Sequence, residues 1–359
     1  MMIRDDLRAA LPGWVLGRLL TALGWLVALV LVRMNAGGTW TVQMHQGLFA
    51  WDGAFYRAIA DVGYEAVGAD ATRFHPLLPM LGGHDLGLLI VSNLVALCAA
   101  AAIHHLVLEV LRDPDLARRA ATLVGVAAPA FTLVWAYAES LFLFATALLL
   151  LALHRRQWWW VAVFGVVATL ARPTGLLLVV AVAVGLFTHR SPTDPALPRD
   201  GHHVAQAAAL VGPGLVMVGW LWWVEETFGD AWLPLRVQGD LRGGTRFPPF
   251  RLVEGLGEAM ADPLGDGLHL PFALLALWLA WIAWRRLPLA WALYAAVTVL
   301  VMLSASNLNS IERYAFGNVV LIVAGASVAG GRAWRPTVGV SGAVLVGMTA
   351  LAWYGRYVP

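Results

Sequence analysis

Apolar runs long enough to cross a membrane recur along the whole chain, and they constrain its fold more than any other feature. A membrane-spanning helix needs about 20 apolar residues, with a tolerance of a few. Only 13% of the 359 residues are charged, whereas soluble domains carry roughly 25%. The sequence therefore predicts an all-α, polytopic integral membrane protein.

We predict about eleven such spans, which form a single transmembrane domain over residues 1–359. The predicted spans are residues 14–34, 86–111, 120–135, 136–153, 158–171, 174–187, 205–228, 270–284, 289–304, 314–329 and 338–354. The fifth and sixth are short. Residues 158–187 could therefore form one long helix instead, broken at Arg172 and Pro173.

Arginines in the loops set the predicted orientation, because loops rich in basic residues stay in the cytoplasm. With two spans in residues 158–187, the arginine-bearing loops all fall on the side of Arg4 and Arg8. These loops contain Arg112, Arg118 and Arg119, then Arg155 and Arg156, Arg190 and Arg199, Arg285 and Arg286, and Arg332 and Arg335. With one span, the last three groups would face outside. We therefore predict a multi-pass protein of the plasma (inner) membrane whose amino terminus is cytoplasmic.

Two long loops, residues 35–85 and 229–269, then face the exterior. Neither contains the Gly-rich fingerprint of a Rossmann-type nucleotide-binding unit. A net charge of +2 offers no broad basic surface, so a nucleic-acid partner is not expected. The single Cys98 excludes an intramolecular disulfide. Any chemistry must come from helix ends and loops at the outer membrane surface, among membrane lipids.

Ionisable residues gather at that surface. The first outer loop holds Asp52 and His75, and the next two outer turns hold Glu139 and Arg172. The pair Glu312 and Arg313 precedes the tenth span. Removing such groups from water costs a few kcal/mol each unless they are paired or used, so their convergence indicates a functional site.

Asp52 has two compatible interpretations. It could cap the amino terminus of a short amphipathic helix over residues 53–61 that presents Tyr56 on its apolar face, next to Trp51 as an interfacial anchor. Alternatively, it is a general base at the mouth of a cavity that faces lipid.

Each of the other residues also has a structural alternative. His75 could bind a sugar hydroxyl or a phosphate, or simply satisfy its own loop, and Arg73 is equally ambiguous. Glu139 could orient an arginine or bind sugar hydroxyls, or only interact with a helix dipole. Arg172 and Arg313 could clamp a phosphate, or extend to the headgroup layer.

The motifs "WDGAFYRAIADVGY", "FHPLLP", "AESLF", "ARPTG" and "ERY", in this order, resemble those of the PIG-V family of mannosyltransferases, which are polytopic GT-C enzymes. The resemblance is dense over residues 51–175 and returns at residues 312–314. The family favours an aromatic residue where His75 stands and Asn where Thr174 stands. The small size and the absence of lysine suggest a bacterial member, for which a GPI anchor precursor is not the acceptor.

The resemblance implies a metal-independent, cofactor-free and inverting enzyme. It would transfer mannose from a polyprenyl-phosphate donor to an extracytoplasmic glycolipid or glycan acceptor and form an α-mannosidic bond. Asp52 would be the catalytic base, and Arg172 and Arg313 would bind the donor phosphate. The residues that would contact the sugar or support the site are His75, Glu139, Trp51, Tyr56, Arg73, Glu312 and Tyr314.

Two alternatives stay open. A GT-C enzyme could take another sugar from the same type of carrier. A transporter or flippase is the alternative from a different class, although transporters favour polar sites near the membrane midplane, whereas these residues gather at one end.

Overall fold

Helices dominate the part of the chain that the structure describes. The computed structural model describes residues 2–35, 37–188, 202–357 and 359. Helices account for 83% of the structure. The described residues contain no β-strand and only an isolated bridge between Thr245 and Ala305. The all-α prediction is confirmed. Arg190 and Arg199, which contribute to the predicted orientation, lie outside the described residues.

Seventeen α-helices are described, and six short 3-10 turns lie in the segments between them. In chain order they are α1 (Met2–Asn35), α2 (Val42–Gln46), α3 (Asp52–Val67), α4 (Leu77–Gly82), α5 (Asp85–Leu111), α6 (Pro114–Val126), α7 (Glu139–His154), α8 (Trp158–Ala171), α9 (Leu178–Thr188), α10 (His202–Phe228), α11 (Leu233–Arg242), α12 (Pro248–Ala261), α13 (Leu270–Arg286), α14 (Leu289–Leu303), α15 (Ile311–Phe316), α16 (Val319–Val328) and α17 (Trp334–Tyr354).

Five of these helices, with their adjoining 3-10 turns, are long and apolar enough to cross a membrane: α1, α5, α10, α13 and α17. Shorter apolar helices accompany them, namely α7, α8, α9, α14 and α16. Large apolar side chains such as Leu19 and Leu215 remain exposed on the long helices, as lipid-facing surfaces require. These features are those of a helical membrane protein.

The predicted third span, residues 120–135, is wrong as a continuous helix. Helix α6 begins earlier because the Asp113 carboxylate accepts a hydrogen bond from the Leu116 amide at 2.9 Å and Pro114 occupies the first helical position. It ends at Val126. An irregular segment with a 3-10 turn at Ala130–Leu133 then leads to α7, in place of a direct turn between the third and fourth predicted spans.

The predicted tenth span, residues 314–329, is also interrupted. Helix α15 ends at Phe316, and α16 starts anew after Asn318, whose side-chain oxygen accepts from the Val320 amide at 3.0 Å. Tyr314 therefore belongs to a short helix before the break. The break exposes a helix start to the interior of the bundle.

Residues 158–187 form two helices, as predicted, and not one long helix. Arg172 is extended between them, with φ −153° and ψ 143°, and a 3-10 turn at Pro173–Leu177 follows. Near the end of α9, Gly185 lies against Leu153 at the end of α7. Helix α9 thus returns toward the end at which α8 began, and Arg172 stands at the opposite end.

Glycines bring α1 and α6 into direct backbone contact. Gly13 and Gly17 of α1 lie so close to Gly125 of α6 that a methyl group at Gly125 would overlap the Gly13 carbonyl. Small residues permit such close packing of apolar helices. This contact fixes α6, and through it the segment that leads to Glu139.

Candidate functional site

Asp52 begins helix α3 but does not cap it. The capping residue is Trp51, at φ 57°, and its side chain makes no capping hydrogen bond. The predicted capping role over a helix of residues 53–61 is therefore wrong, and α3 continues to Val67. The Asp52 carboxylate instead accepts a hydrogen bond from the Arg313 guanidinium.

Four charged side chains from distant segments form one continuous row: Asp52, Arg313, Glu139 and Arg172. Arg313 Nη1 donates to Asp52 Oδ2, and Arg313 Nε lies 3.5 Å from Glu139 Oε1. The same Glu139 oxygen accepts from Arg172 Nη1. Three of the four are buried, whereas the Asp52 side chain is 24% exposed. Two carboxylates and two guanidinium groups give this charged row a formal charge of zero.

Local structure explains how each member reaches the row. Glu139 is the first residue of α7, where the helix dipole favours a carboxylate. Arg172 occupies the extended break after α8, and Arg313 lies within α15. The structure thus brings together two acidic and two basic residues, which come from separate predicted outer turns.

Two tyrosines hold the row in place. The Tyr137 hydroxyl accepts from the Asp52 amide at 3.2 Å and donates to the Ala50 carbonyl at 3.3 Å. The Tyr314 ring lies beside both guanidinium groups, with its centroid 4.9 Å from Arg172 Cζ and 5.5 Å from Arg313 Cζ. Such cation–π contacts orient a guanidinium. Tyr137 directly precedes the "AES" motif, but nothing in that motif indicates that its hydroxyl reaches Asp52.

Glu312 belongs to a separate buried group. Its Oε2 lies 3.0 Å from His269 Nδ1, and its Oε1 accepts from the Tyr357 hydroxyl. Burial, with the nearby Glu312 carboxylate, raises the pKa of Tyr357 well above its usual value, so this phenol stays a donor. Sequence reasoning missed His269 and Tyr357, because neither belongs to a motif. Glu312 therefore anchors α15, the helix that carries Arg313.

His75 is buried and hydrogen-bonded to the backbone. Its Nδ1 lies 2.5 Å from the Thr169 carbonyl oxygen at the end of α8, and its ring packs against Trp220. Burial lowers the pKa of His75 to about 4; the Thr169 hydrogen bond opposes this shift and the Arg172 charge adds to it. His75 is therefore neutral near pH 7, which favours the structural interpretation over phosphate binding.

The remaining predicted residues support the first outer loop. The Trp51 indole donates to the Ala352 carbonyl at 2.9 Å, so it anchors this loop to α17. Arg73 donates to the Asp70 carbonyl and stacks on Phe74 at 4.8 Å. Tyr56 is buried; burial first, then the Glu139 carboxylate, raises its pKa well above the usual value. Tyr56 thus lies under the electrostatic influence of the row.

A partly open cavity adjoins the Arg172 end of the charged row. Its polar lining includes Arg172, Tyr314 and Asn318. Its apolar lining includes Leu177 and Val301, and the latter is 47% exposed on the surface of α14. Arg172 is the single member of the row among the described lining residues. The cavity therefore joins a cation inside the protein to an apolar outer surface.

No group of three or more His, Cys, Asp or Glu side chains within the described part of the chain is arranged to hold a metal ion. Neither a protein-family model nor a curated protein matches this chain. The resemblance to the PIG-V family stays a prediction that rests on the motifs.

Proposed function

We propose that the protein is an inverting glycosyltransferase of the PIG-V type, which moves mannose from a polyprenyl-phosphate donor to an extracytoplasmic glycolipid or glycan acceptor. The observation that carries this proposal is the charged row, in which the partly exposed Asp52 is linked through Arg313 and Glu139 to Arg172. The row supplies a base at one end and a cation beside a cavity at the other. Transfer from a lipid phosphate needs both.

In the proposed reaction, Asp52 accepts the proton of the acceptor hydroxyl. The hydroxyl oxygen forms a bond to the anomeric carbon as the bond from that carbon to the phosphate oxygen breaks. Attack from the face opposite the phosphate inverts a β-linked donor to an α-linked product. The bonding electrons leave with the polyprenyl phosphate, whose new charge needs stabilisation by preorganised cations.

Arg172 is the proposed partner of that phosphate, because this residue lines the cavity and its guanidinium has five donors, of which Glu139 uses part. The family resemblance implies that Arg313 also binds the phosphate. Because Arg313 lies between two carboxylates, we propose instead that it fixes the Asp52 carboxylate. The exposed apolar wall at Val301 suits a polyprenyl chain that enters from the membrane.

The proposed site faces the extracytoplasmic side, within a GT-C-like arrangement of about eleven spans in the plasma membrane. A second polar group supports this sidedness. Asp6 contacts His104 at 2.6 Å, and Glu109 contacts Arg155 beyond the end of α7. Helix α7 has 16 residues, so about 24 Å separates its two ends. The row and the second group therefore lie at opposite ends of α7, which supports sites at separate membrane faces over a midplane transport site.

The test replaces Asp52 with asparagine in the purified full chain and follows transfer of labelled mannose from a synthetic polyprenyl phosphate. We expect Asp52→Asn to abolish transfer, because an amide cannot accept the proton. Asp70→Asn, an exposed aspartate of the same loop, should keep full activity. Chelation by EDTA should leave the wild-type rate unchanged. Full activity of Asp52→Asn would refute the base, and transfer of a different sugar would redirect the donor.

A further inference from the structure

Asn318 presents an unpaired hydrogen-bond donor in a fully buried position. Its relative exposure is 0%, and its Oδ1 accepts from the Val320 amide at the start of α16. Its Nδ2 has no hydrogen-bond partner among the described residues. A buried amide donor left without a partner destabilises the fold, so such groups call for a ligand or a functional explanation.

The unpaired amide lies where an anion would be stabilised. Asn318 lines the same cavity as Arg172, although 146 positions of sequence separate the two. It stands at the amino terminus of α16, a helix of 10 residues, where the helix dipole favours negative charge. The break between α15 and α16 places Asn318 at a helix start rather than within a continuous helix.

We propose that Asn318 Nδ2 donates a hydrogen bond to the phosphate of a lipid-borne ligand, which it shares with Arg172. This inference rests on the proposed function, under which the ligand is the polyprenyl-phosphate donor. Asn318 then binds the phosphate of the sugar donor, and Arg172 supplies the positive charge beside it. The fit is chemical: the amide contributes one neutral donor, Arg172 contributes the charge, and the apolar wall contacts the lipid chain.

Two substitutions separate phosphate binding from helix capping. Asp and Ser cap helices about as well as Asn. Asn318→Asp keeps the capping oxygen but replaces the donor with a second, negatively charged oxygen that repels a phosphate. Asn318→Ser keeps a capping oxygen and removes the amide donor without adding charge. If Asn318 only caps α16, all three proteins should bind the ligand equally.

The experiment measures binding of a sugar-free polyprenyl phosphate to the purified full chain in detergent, alongside the corresponding polyprenyl alcohol. We expect Asn318→Asp to weaken phosphate binding at least tenfold, about 1.4 kcal/mol, and Asn318→Ser to weaken it less. Both should bind the alcohol as the wild type does. In the transfer assay the KM for the donor should rise more than kcat falls. Asn307→Asp adds the same charge outside the cavity lining and should change neither.

The outcomes distinguish this inference from the function on which it rests. Wild-type binding of Asn318→Asp, with transfer intact, would overturn the Asn318 assignment alone. A wild-type protein that binds no polyprenyl phosphate would overturn both. Phosphatidic acid provides a second arm: if it binds as tightly and with the same dependence on Asn318, the cavity serves bulk lipid headgroups, and the donor assignment fails. Should Asn318→Asp not fold, Asn318→Ser decides the result.

Discussion

Replacing Glu139 with glutamine tests whether the charged row is held together by its balance of charge. Glu139 Oε1 accepts from Arg172 and lies 3.5 Å from Arg313 Nε. The substitution keeps an oxygen acceptor of the same size but leaves the row with a formal charge of +1. The Glu139 side chain is 3% exposed, so water screens little of that charge. Breaking a buried ion pair costs about 3–5 kcal/mol, and we expect a loss of unfolding free energy in that range.

The assay is unfolding in mixed micelles, followed by the loss of helical circular dichroism, in a double-mutant cycle with Arg172→Gln. Each single variant leaves one charge unpaired. The double variant removes both, so it should be less destabilised than the sum of the two, with a coupling of roughly 2–3 kcal/mol. Glu254→Gln is the matched control.

Glu254 pairs with Arg251 at 2.9 Å, but its side chain is 39% exposed. Exposed pairs contribute at most about 1 kcal/mol, so this control should lose no more than that. The hypothesis that balanced charge holds the row together would be refuted if Glu139→Gln were no more destabilising than Glu254→Gln. It would equally be refuted if the effects of Glu139→Gln and Arg172→Gln were additive.

Two further predictions concern stability. The pKa of His75 is about 4 in the folded protein and 6.5 in the unfolded chain, so the unfolded state binds more protons between these values. Above pH 6.5 the neutral His75 should leave the free energy of unfolding at its full value, and that free energy should fall by about 3 kcal/mol as the pH drops to 4. His75→Gln should show a smaller loss over this range. If the dependence of stability on pH were the same in His75→Gln as in the wild type, the lowered pKa of His75 would be contradicted. Gly125→Ala should lower the free energy of unfolding by about 1–3 kcal/mol, because α1 must move away from the added methyl group. Gly347→Ala should not lower it, because Gly347 has open space around it. Equal melting temperatures of these two variants would refute the close packing of α1 and α6.

The sequence could predict that Asp52, Glu139, Arg172 and Arg313 meet, because this depends only on whether an even or odd number of spans separates their turns. Once apolar runs alternate across a membrane, every second turn lies on the same side, and charged residues in those turns are brought near one another. The interaction that Asp52 makes there could not be predicted from its neighbours in the sequence. A carboxylate before an amphipathic stretch looks like a cap, and its actual partner is 261 positions away.

The errors in the predicted spans have one physical cause. Hydropathy measures preference for an apolar environment, and a packed irregular segment inside a bundle satisfies it as well as a helix does. Residues 127–138 and the break before Asn318 are apolar and buried, yet neither continues a helix. The buried partners His269 and Tyr357 were missed for a related reason: a single His or Tyr carries no periodicity, and their contacts with Glu312 arise only from tertiary packing.

The neutrality of the row bears directly on the proposed reaction. While Asp52 is ionised, two carboxylates balance two guanidinium groups, and the row offers no net attraction to a distant anion. When Asp52 accepts the acceptor proton, the row gains a charge of +1 at the same moment that the phosphate gains negative charge. The stabilisation is then greater in the transition state than with substrate bound, which is the condition for raising the rate of the chemical step. A base that is ion-paired to Arg313 within the row meets this condition, whereas a base far from the row would not.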